Sequence, residues 1–239
     1  MLNHVAAIFR RELSSYFDST LAYIVIPVFL LLVGGFTLYF QDLLGAGIAS
    51  MRPVFFWASV FMLLLIPAIT MRLFSEEHRQ GSIELLVTLP VGEPAIVLGK
   101  FLAAFSLVGV AIAMTLTYPL TLALLGDLDL GPVLGGYVGL LGLGAAFTAI
   151  GTATSVGTQN QVVAFLLALS ICVVPFASGF ALAQVPAAVL PVVQYLSFET
   201  HFNNLARGVI DSRDLVFYGS VVALFLHAAV FGLERRRLR

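Results

Sequence analysis

Residues 75–100 read SEEHRQGSIELLVTLPVGEPAIVLGK and gather charge between two long apolar segments. Two glutamates, an arginine, a lone glutamate, a Pro-Val-Gly turn and a Gly-Lys pair occur in this one stretch. The chain on either side consists mostly of Leu, Val, Ala, Phe and Gly. A polar stretch between two apolar segments is typical of a loop that joins two membrane spans.

The composition indicates that most of the chain lies in lipid. Hydrophobic residues make up 60% of the sequence and charged residues 10%, with a mean hydropathy of +1.02. Soluble domains carry about 25% charged residues. The net charge of −1 gives no basic surface for nucleic acid. The first long apolar run starts near Leu21 and is too long for a cleaved signal, so we expect the N-terminal segment to stay in the mature protein.

Six segments are apolar enough to cross a membrane as helices, which takes about 20 residues each. They cover about 20–40, 54–73, 99–125, 132–156, 161–182 and 214–233. The sequence therefore predicts an all-α membrane protein with one transmembrane domain over residues 1–239.

The basic residues predict which side of the membrane each loop occupies. With the N-terminus inside, six spans return the C-terminus to the inside, and most basic residues then fall on the inner side. The inner group is Arg10, Arg11, Arg72, Arg79, Lys100, Arg235, Arg236, Arg237 and Arg239, and the outer group is Arg52, Arg207 and Arg213. This bias predicts that both termini and the 75–93 loop are cytoplasmic.

Two segments outside the spans are expected to lie at the membrane interfaces. Residues 1–18 carry apolar side chains at helical spacing and predict an amphipathic helix on the inner surface, although a polar leader with chance periodicity is the alternative. Residues 183–213, broken by Pro186 and Pro191, predict one or two short re-entrant or interfacial helices on the outer side. These helices either gate an outward exit or cap the bundle.

The predicted spans contain almost no ionisable side chain. Ion-coupled transporters place acidic or basic residues inside the membrane because they bind an ion there. The chain also has no P-loop, because Phe101 follows Gly99-Lys100 and Pro94 stands where the first glycine is required. We therefore expect Lys100 to be an interface anchor and the chain itself not to be an enzyme.

The 75–93 loop predicts a helix exposed to the cytoplasm. Arg72 ends the second span, and Glu76 and Glu77 stand near the start of a helical stretch that Gly81 breaks. Ser82 can cap a second short helix over residues 83–89, and Pro90 stops it. Glu93-Pro94 then starts the helix of the third span. A short amphipathic helix of this kind suits a groove on a partner protein.

At this point the sequence resembles a known family. Residues 71–86, Leu89-Pro90 and residues 96–101 resemble the signature of ABC-2 type transporter permeases, with Ser82 in place of the usual Thr and Leu89 in place of the usual Ser. His201-Phe202, residues 206–211 and the terminal Glu-Arg-Arg resemble the subgroup related to the gliding-motility-associated ABC permease.

The resemblance implies a permease that works as a dimer, or with a related permease, in the inner (cytoplasmic) membrane of a prokaryote. Two separate ATPase subunits would bind ATP and Mg²⁺ and dock on its cytoplasmic face, while this chain binds no cofactor and no metal. An accessory protein on the outer face is a further expected partner. The cargo of such exporters is a lipid, a polysaccharide, a drug or a peptide. A scaffold or mechanotransmission anchor for an envelope or motility complex is the alternative function.

The resemblance and the pattern of residues together give the candidate site residues. The loop helix would be the coupling helix, with an ATPase-coupling interface of Glu76, Glu77, Arg79, Gly81, Ser82, Ile83, Glu84, Leu86 and Val87. The N-terminal helix would be the connecting helix, with an interface of Arg10, Arg11 and Glu12. The candidates for an outer gate are Phe198, His201, Phe202 and Arg207.

Overall fold

The computed structural model describes residues 2–41, 50–81 and 92–237. Within these ranges the chain is helical, with one 3₁₀ turn at Leu182–Gln184 and no strand. The α-helices are α1 (Leu2–Asp18), α2 (Leu21–Gln41), α3 (Arg52–Thr70), α4 (Arg72–Gln80), α5 (Glu93–Met114), α6 (Thr117–Leu125), α7 (Leu130–Gly157), α8 (Gln161–Ser178), α9 (Leu190–Leu196), α10 (Phe198–Ala206) and α11 (Ser212–Arg237).

Six helical segments are long and apolar enough to cross a membrane. They are Leu21–Phe40, Arg52–Arg79, Glu93–Leu125, Leu130–Gly157, Gln161–Ser178 and Ser212–Arg235. Their mean hydropathy lies between 1.8 and 2.4. The prediction of an all-α membrane protein with six spans is confirmed.

The helix boundaries near the 75–93 loop follow the local sequence signals. Gly81 follows α4 with a φ of 69°, in the left-handed region that glycine adopts at little cost. Helix α5 begins at Glu93 with a proline in its first turn. The predicted coupling helix, with Ser82, Ile83, Glu84, Leu86 and Val87, lies outside the described residues.

Helix α7 is the centre of the bundle and packs against α3, α5, α8, α10 and α11. Most of its glycines lie at these contacts. A Cβ atom on Gly135 would be 2.1 Å from the carbonyl oxygen of Leu205, and one on Gly136 would be 2.2 Å from the ring of Phe55. The absence of side chains on this face therefore lets α10 and α3 approach the α7 backbone closely.

Helices α2, α8 and α11 form the outside of the bundle. In their most apolar windows only 22%, 22% and 17% of residues are buried, and large apolar side chains such as Leu31, Val174 and Val216 are exposed. Exposed apolar faces on this scale are expected where the surrounding medium is hydrocarbon.

The two ends of α7 mark the two ends of the bundle. Ser155 contacts α4, and Val156 lies next to Gly232 of α11. Gly136 contacts Phe55, three residues after Arg52, and Gly208 lies against Gly131. From Gly136 to Ser155 α7 rises about 28 Å, close to the thickness of a bilayer core of about 30 Å. We call the end of the bundle near Ser155 the α4 end and the end near Gly136 the α10 end.

Candidate functional site

A buried lysine organises the α4 end. Lys100, on α5, is only 2% exposed, and its Nζ donates to the Oε1 of Glu77 on α4 at 2.8 Å and to the Oε1 of Glu12 on α1 at 3.2 Å. The third donation goes to the backbone carbonyl of Leu73 at 2.8 Å. All three ammonium protons therefore have acceptors, which a buried lysine requires.

Arg11 completes this arrangement from the solvent side. Its guanidinium donates to the same Glu12 oxygen at 2.7 Å and lies 3.5 Å from the Oε1 of Glu77. We call Arg11, Glu12, Glu77 and Lys100 the Lys100 cluster. It joins α1, α4 and α5 with two positive and two negative charges.

The charges of the cluster shift the pKa values of Glu12 and Arg11. Burial raises the pKa of Glu12, but the charges of Lys100 and Arg11 and their hydrogen bonds outweigh this effect, so the pKa lies below its ordinary value. The hydrogen bond to Glu12 raises the pKa of Arg11. Both shifts favour the charged forms of Glu12 and Arg11.

The residue before the lysine brings α1 close enough for these contacts. A Cβ atom on Gly99 would lie 2.7 Å from Cγ2 of Ile8 on α1. Gly99 thus allows α1 to pack closely on α5, and Lys100 pairs with the carboxylates of Glu12 and Glu77. The prediction that Lys100 is an interface anchor is wrong, because its ammonium group points into the α1–α4 contact and not toward solvent.

A serine on the central helix fixes the start of α4. The Oγ of Ser155 accepts from the backbone N–H groups of Phe74 at 3.0 Å and Ser75 at 3.2 Å, and donates to the carbonyl of Met71 at 3.1 Å. Ser155 is fully buried. Helix α4 is therefore held on one side by α7 and on the other by the Lys100 cluster.

A cavity of about 510 Å³ opens beside the cluster. Three basic and three acidic side chains line it, namely Arg11, Arg72, Lys100, Glu12, Glu76 and Glu77. This balance makes the cavity polar without a preference for either sign of charge, which suits contacts to a partner protein better than the binding of an ion.

The predicted coupling and connecting residues fall into two groups. Arg11, Glu12 and Glu77 meet around Lys100, and Glu76 lines the same cavity. Arg10, Arg79 and Gly81 are exposed and lie outside the cluster. The structure therefore separates side chains that hold the α4 end together from side chains that face outward.

The candidates for an outer gate lie at the α10 end. Three of them are buried, since the exposed fraction is 3% for Phe198, 6% for His201 and 3% for Phe202. Arg207 is exposed. His201 lies 2.6 Å from Asp214 through Nδ1 and 2.9 Å from the carbonyl of Tyr195 through Nε2. These contacts tie α9, α10 and the first turn of α11 together.

Lys100, Ser155 and Asp214 are the functional candidates that the sequence did not reveal. Asp214 stood at the predicted edge of the last span and carried no motif. Among the described residues, no three His, Cys, Asp or Glu side chains come close enough to hold a metal ion, so the His201–Asp214 pair lacks further ligands.

Comparison with known proteins agrees with this architecture. The family described as ABC-2 family transporter protein matches residues 23–232, which includes all six spans except the first two residues of the first span and the last three of the last one. No curated protein matches the chain. Because the family match covers most of the sequence, the chain belongs to the ABC-2 transporter family and is a membrane permease of an ABC transporter.

Proposed function

We propose that the chain is the permease subunit of an ATP-driven exporter and that separate ATPase subunits act on it through residues 75–93. The observation that carries this proposal is the Lys100 cluster, which links α1, α4 and α5 directly beside that loop. The family generally works with an ABC ATPase, and ATP and Mg²⁺ would bind in that partner.

The contacts of α4 support a way in which movement of the 75–93 loop would be passed on to the rest of the bundle. Glu77 ties α4 to α1 and α5, and Ser155 ties it to the central helix α7. A partner that moved the loop after Gly81 would act on both connections at once. ATP can favour one state of the permease only through contacts that differ between states, and these two are our candidates.

The orientation follows from the basic residues. The α4 end carries Arg10, Arg11, Arg72 and Arg79, whereas Arg52 and Arg207 lie at the α10 end. We propose that the α4 end and both termini are cytoplasmic and that the protein lies in the inner membrane of a prokaryote. Helix α1 would lie along the inner surface and α9 and α10 along the outer one.

We further propose that α1 belongs to the same domain as the spans, so that residues 1–239 form one unit. The family match begins at residue 23, after α1. Arg11 and Glu12 nevertheless pair with side chains of α4 and α5. An independent leader would not need these partly buried ion pairs.

The exposed apolar faces of α2, α8 and α11 leave room for lipid and for a second permease copy or a related permease. We propose a lipid-like, polysaccharide or other amphiphilic cargo and an accessory protein at the α10 end. The similarity around His201-Phe202 makes the gliding-motility-associated subgroup our proposal for the nearest relatives within the family.

The coupling proposal is tested by reversing a charge in the loop. Glu84→Lys, in the complex purified with its ATPase partner, should uncouple ATP hydrolysis from transport while the complex stays assembled. Asp127→Lys makes the same charge change at an exposed turn and should leave coupling unchanged. Glu77 is less suitable, because reversing its charge would place a lysine beside buried Lys100.

The measurements are ATPase stimulation and uptake of labelled lipid into inverted vesicles. Unchanged stimulation and transport in Glu84→Lys would remove this residue from the coupling role. ATPase stimulation without transport in the wild-type complex would favour the scaffold or mechanotransmission alternative.

A further inference from the structure

A second polar cavity lies at the α10 end of the bundle, where α3, α8 and α10 meet. Its volume is about 280 Å³. Arg52 lines it at the start of α3, and Arg207 lines it directly after the end of α10. Two of the three basic residues predicted on the outer side therefore line one small cavity. Isolated interface anchors would not need to share a cavity.

Four phenylalanines line the same cavity. Phe55, Phe176 and Phe202 line it from three helices and are 1%, 2% and 3% exposed. Phe56 also lines it and is 36% exposed, so the aromatic wall reaches the outside of the bundle. A chain of methylene groups could therefore enter from the lipid side and lie against rings.

One carboxylate balances part of the positive charge. Glu199 lines the cavity, and its Oε1 accepts from the side-chain amide of Asn203. Its carboxylate lies against the residue that follows α8, because a Cβ atom on Gly179 would lie 2.3 Å from the Oε2 of Glu199. Burial raises the pKa of Glu199, and the hydrogen bond from Asn203 and the charge of Arg207 counteract this only in part. The charged groups of the cavity thus carry a net positive charge.

We propose that this cavity binds the acidic headgroup and the first part of the chain of an anionic amphiphile. Arg52 and Arg207 bind the headgroup, and the phenylalanine rings contact the chain. Guanidinium groups offer paired donors that match carboxylate and phosphate oxygens. The volume is just below the usual range for small-molecule pockets, about 300–1,000 Å³, which suits a headgroup with its first methylenes and not a whole lipid.

This site is separate from the proposed coupling site. It lies at the opposite end of α7 from Ser155 and the Lys100 cluster, and it requires no ATPase. The amphiphile could come from the membrane leaflet or be the exported cargo. Both share an acidic headgroup on an apolar chain, and the test below separates them.

Trp57 is the only tryptophan in the chain and lies next to this site. Its ring lies 5.2 Å from the ring of Phe56, which lines the cavity. Bromine atoms quench tryptophan fluorescence over a short range, which reaches from the cavity to its neighbour Trp57. The full-length protein in a neutral maltoside detergent is therefore titrated with a dibrominated fatty acid and, separately, with the corresponding dibrominated fatty alcohol.

We expect the acid to quench Trp57 at about tenfold lower concentration than the alcohol, as for one or two charge-assisted contacts. Both compounds partition into the detergent, so the difference between them reports on the headgroup. The double variant Arg52→Gln/Arg207→Gln should lose this difference. Arg213→Gln, an exposed arginine that does not line the cavity, should keep it.

Glu199→Gln tests the sign of the ligand charge. Removal of this carboxylate should increase the preference for the acid. A decrease would mean that a cation contacts Glu199 and would overturn the proposal. Equal quenching by acid and alcohol in the wild type would overturn it as well, and this comparison does not depend on the folding of any variant.

Two further measurements identify what occupies the cavity. If dibrominated phosphatidylglycerol quenches better than dibrominated phosphatidylcholine, the source includes leaflet lipid; if only the single-chain acid shows a headgroup preference, the source is a cargo-like compound. Both results support an acidic headgroup. If the double arginine variant changes the oligomeric state while the preference for the acid persists, the arginines serve a contact between copies and the proposal is wrong.

Discussion

Lys100 shows how one buried charge can connect three helices. A lysine loses a large hydration energy on burial, and this loss is offset only when all its donors have partners. Here two carboxylates and one carbonyl accept from the ammonium group, and the ring of Phe74 lies 5.1 Å from Nζ. The three contacts come from α1 and α4, so the charge specifies how these helices pack on α5.

Lys100→Met should destabilise the protein strongly. The change leaves Glu12 and Glu77 facing each other with only Arg11 to compensate, and removal of one partner from a buried pair costs on the order of 3 kcal/mol. The measurement is the apparent Tm of the purified protein in detergent. Arg79→Met, at an exposed position on α4, is the matched control and should change the Tm little. Equal Tm values for the two variants would show that the cluster does not hold α1 and α4 in place.

The same cluster predicts a pH dependence. The pKa of Glu12 is lowered in the folded protein, so its carboxylate stabilises the fold above the ordinary value of 4.5 and loses this effect as the pH falls through the folded-state pKa. The Tm difference between the wild type and Glu12→Gln should therefore be constant near neutral pH and shrink below about pH 4.5. In the Lys100→Met background the decrease of this Tm difference at low pH should be smaller, because Glu12 has lost its buried positive partner. A difference that stays constant throughout would contradict the assigned pairing.

At the scale of helices, the elements could be predicted from sequence but their contacts could not. Apolar length predicted the six spans, and Gly81 and Pro94 marked the end of α4 and the start of α5. The burial of Lys100 depends on residues 88 and 23 positions away in sequence. Hydropathy places a lysine at the edge of a span and contains no information about which helices cover it.

Ser155 illustrates the same limit. Thr148 and Thr152, on the preceding turns of α7, donate to carbonyls of their own helix, whereas Ser155 contacts the backbone of α4. The three residues look alike in the sequence as small hydroxyl side chains in an apolar span. Only the position of α4 gives Ser155 a different role, and that position is a tertiary feature.

Gly135→Ala should weaken the packing of α10 on α7. The added methyl group would lie 2.1 Å from the carbonyl oxygen of Leu205, so a backbone must move, and overpacking of this kind costs about 1–3 kcal/mol. Gly109→Ala on α5 is the matched control, because its Cβ would have no neighbour within 4 Å and alanine favours a helix. We expect a lower apparent Tm for the first variant and an equal or higher Tm for the second. Equal effects of both would mean that the α7–α10 contact is looser than described.

At the scale of the whole molecule, the bundle has two polar ends separated by one bilayer thickness. The α4 end holds a charge-balanced cluster, and the α10 end holds a cavity with a net positive charge. The helices on the outside, α2, α8 and α11, expose mainly apolar side chains. An apolar surface of this kind fits a membrane in both orientations of the bundle, so hydropathy alone does not decide which end faces the cytoplasm. The distribution of basic residues is the feature that distinguishes the two orientations.

Single cysteines test that orientation. Cys172 is the only cysteine and is fully buried, so Cys172→Ala provides a background without a native thiol. Arg79→Cys marks the α4 end and Asp127→Cys the opposite end, both at exposed positions. If the α4 end is cytoplasmic, a membrane-impermeant maleimide should label Asp127→Cys in whole cells and Arg79→Cys in inverted vesicles. The reverse pattern would invert the topology and place the 75–93 loop out of reach of a cytoplasmic ATPase, which would remove the physical basis for the coupling proposal.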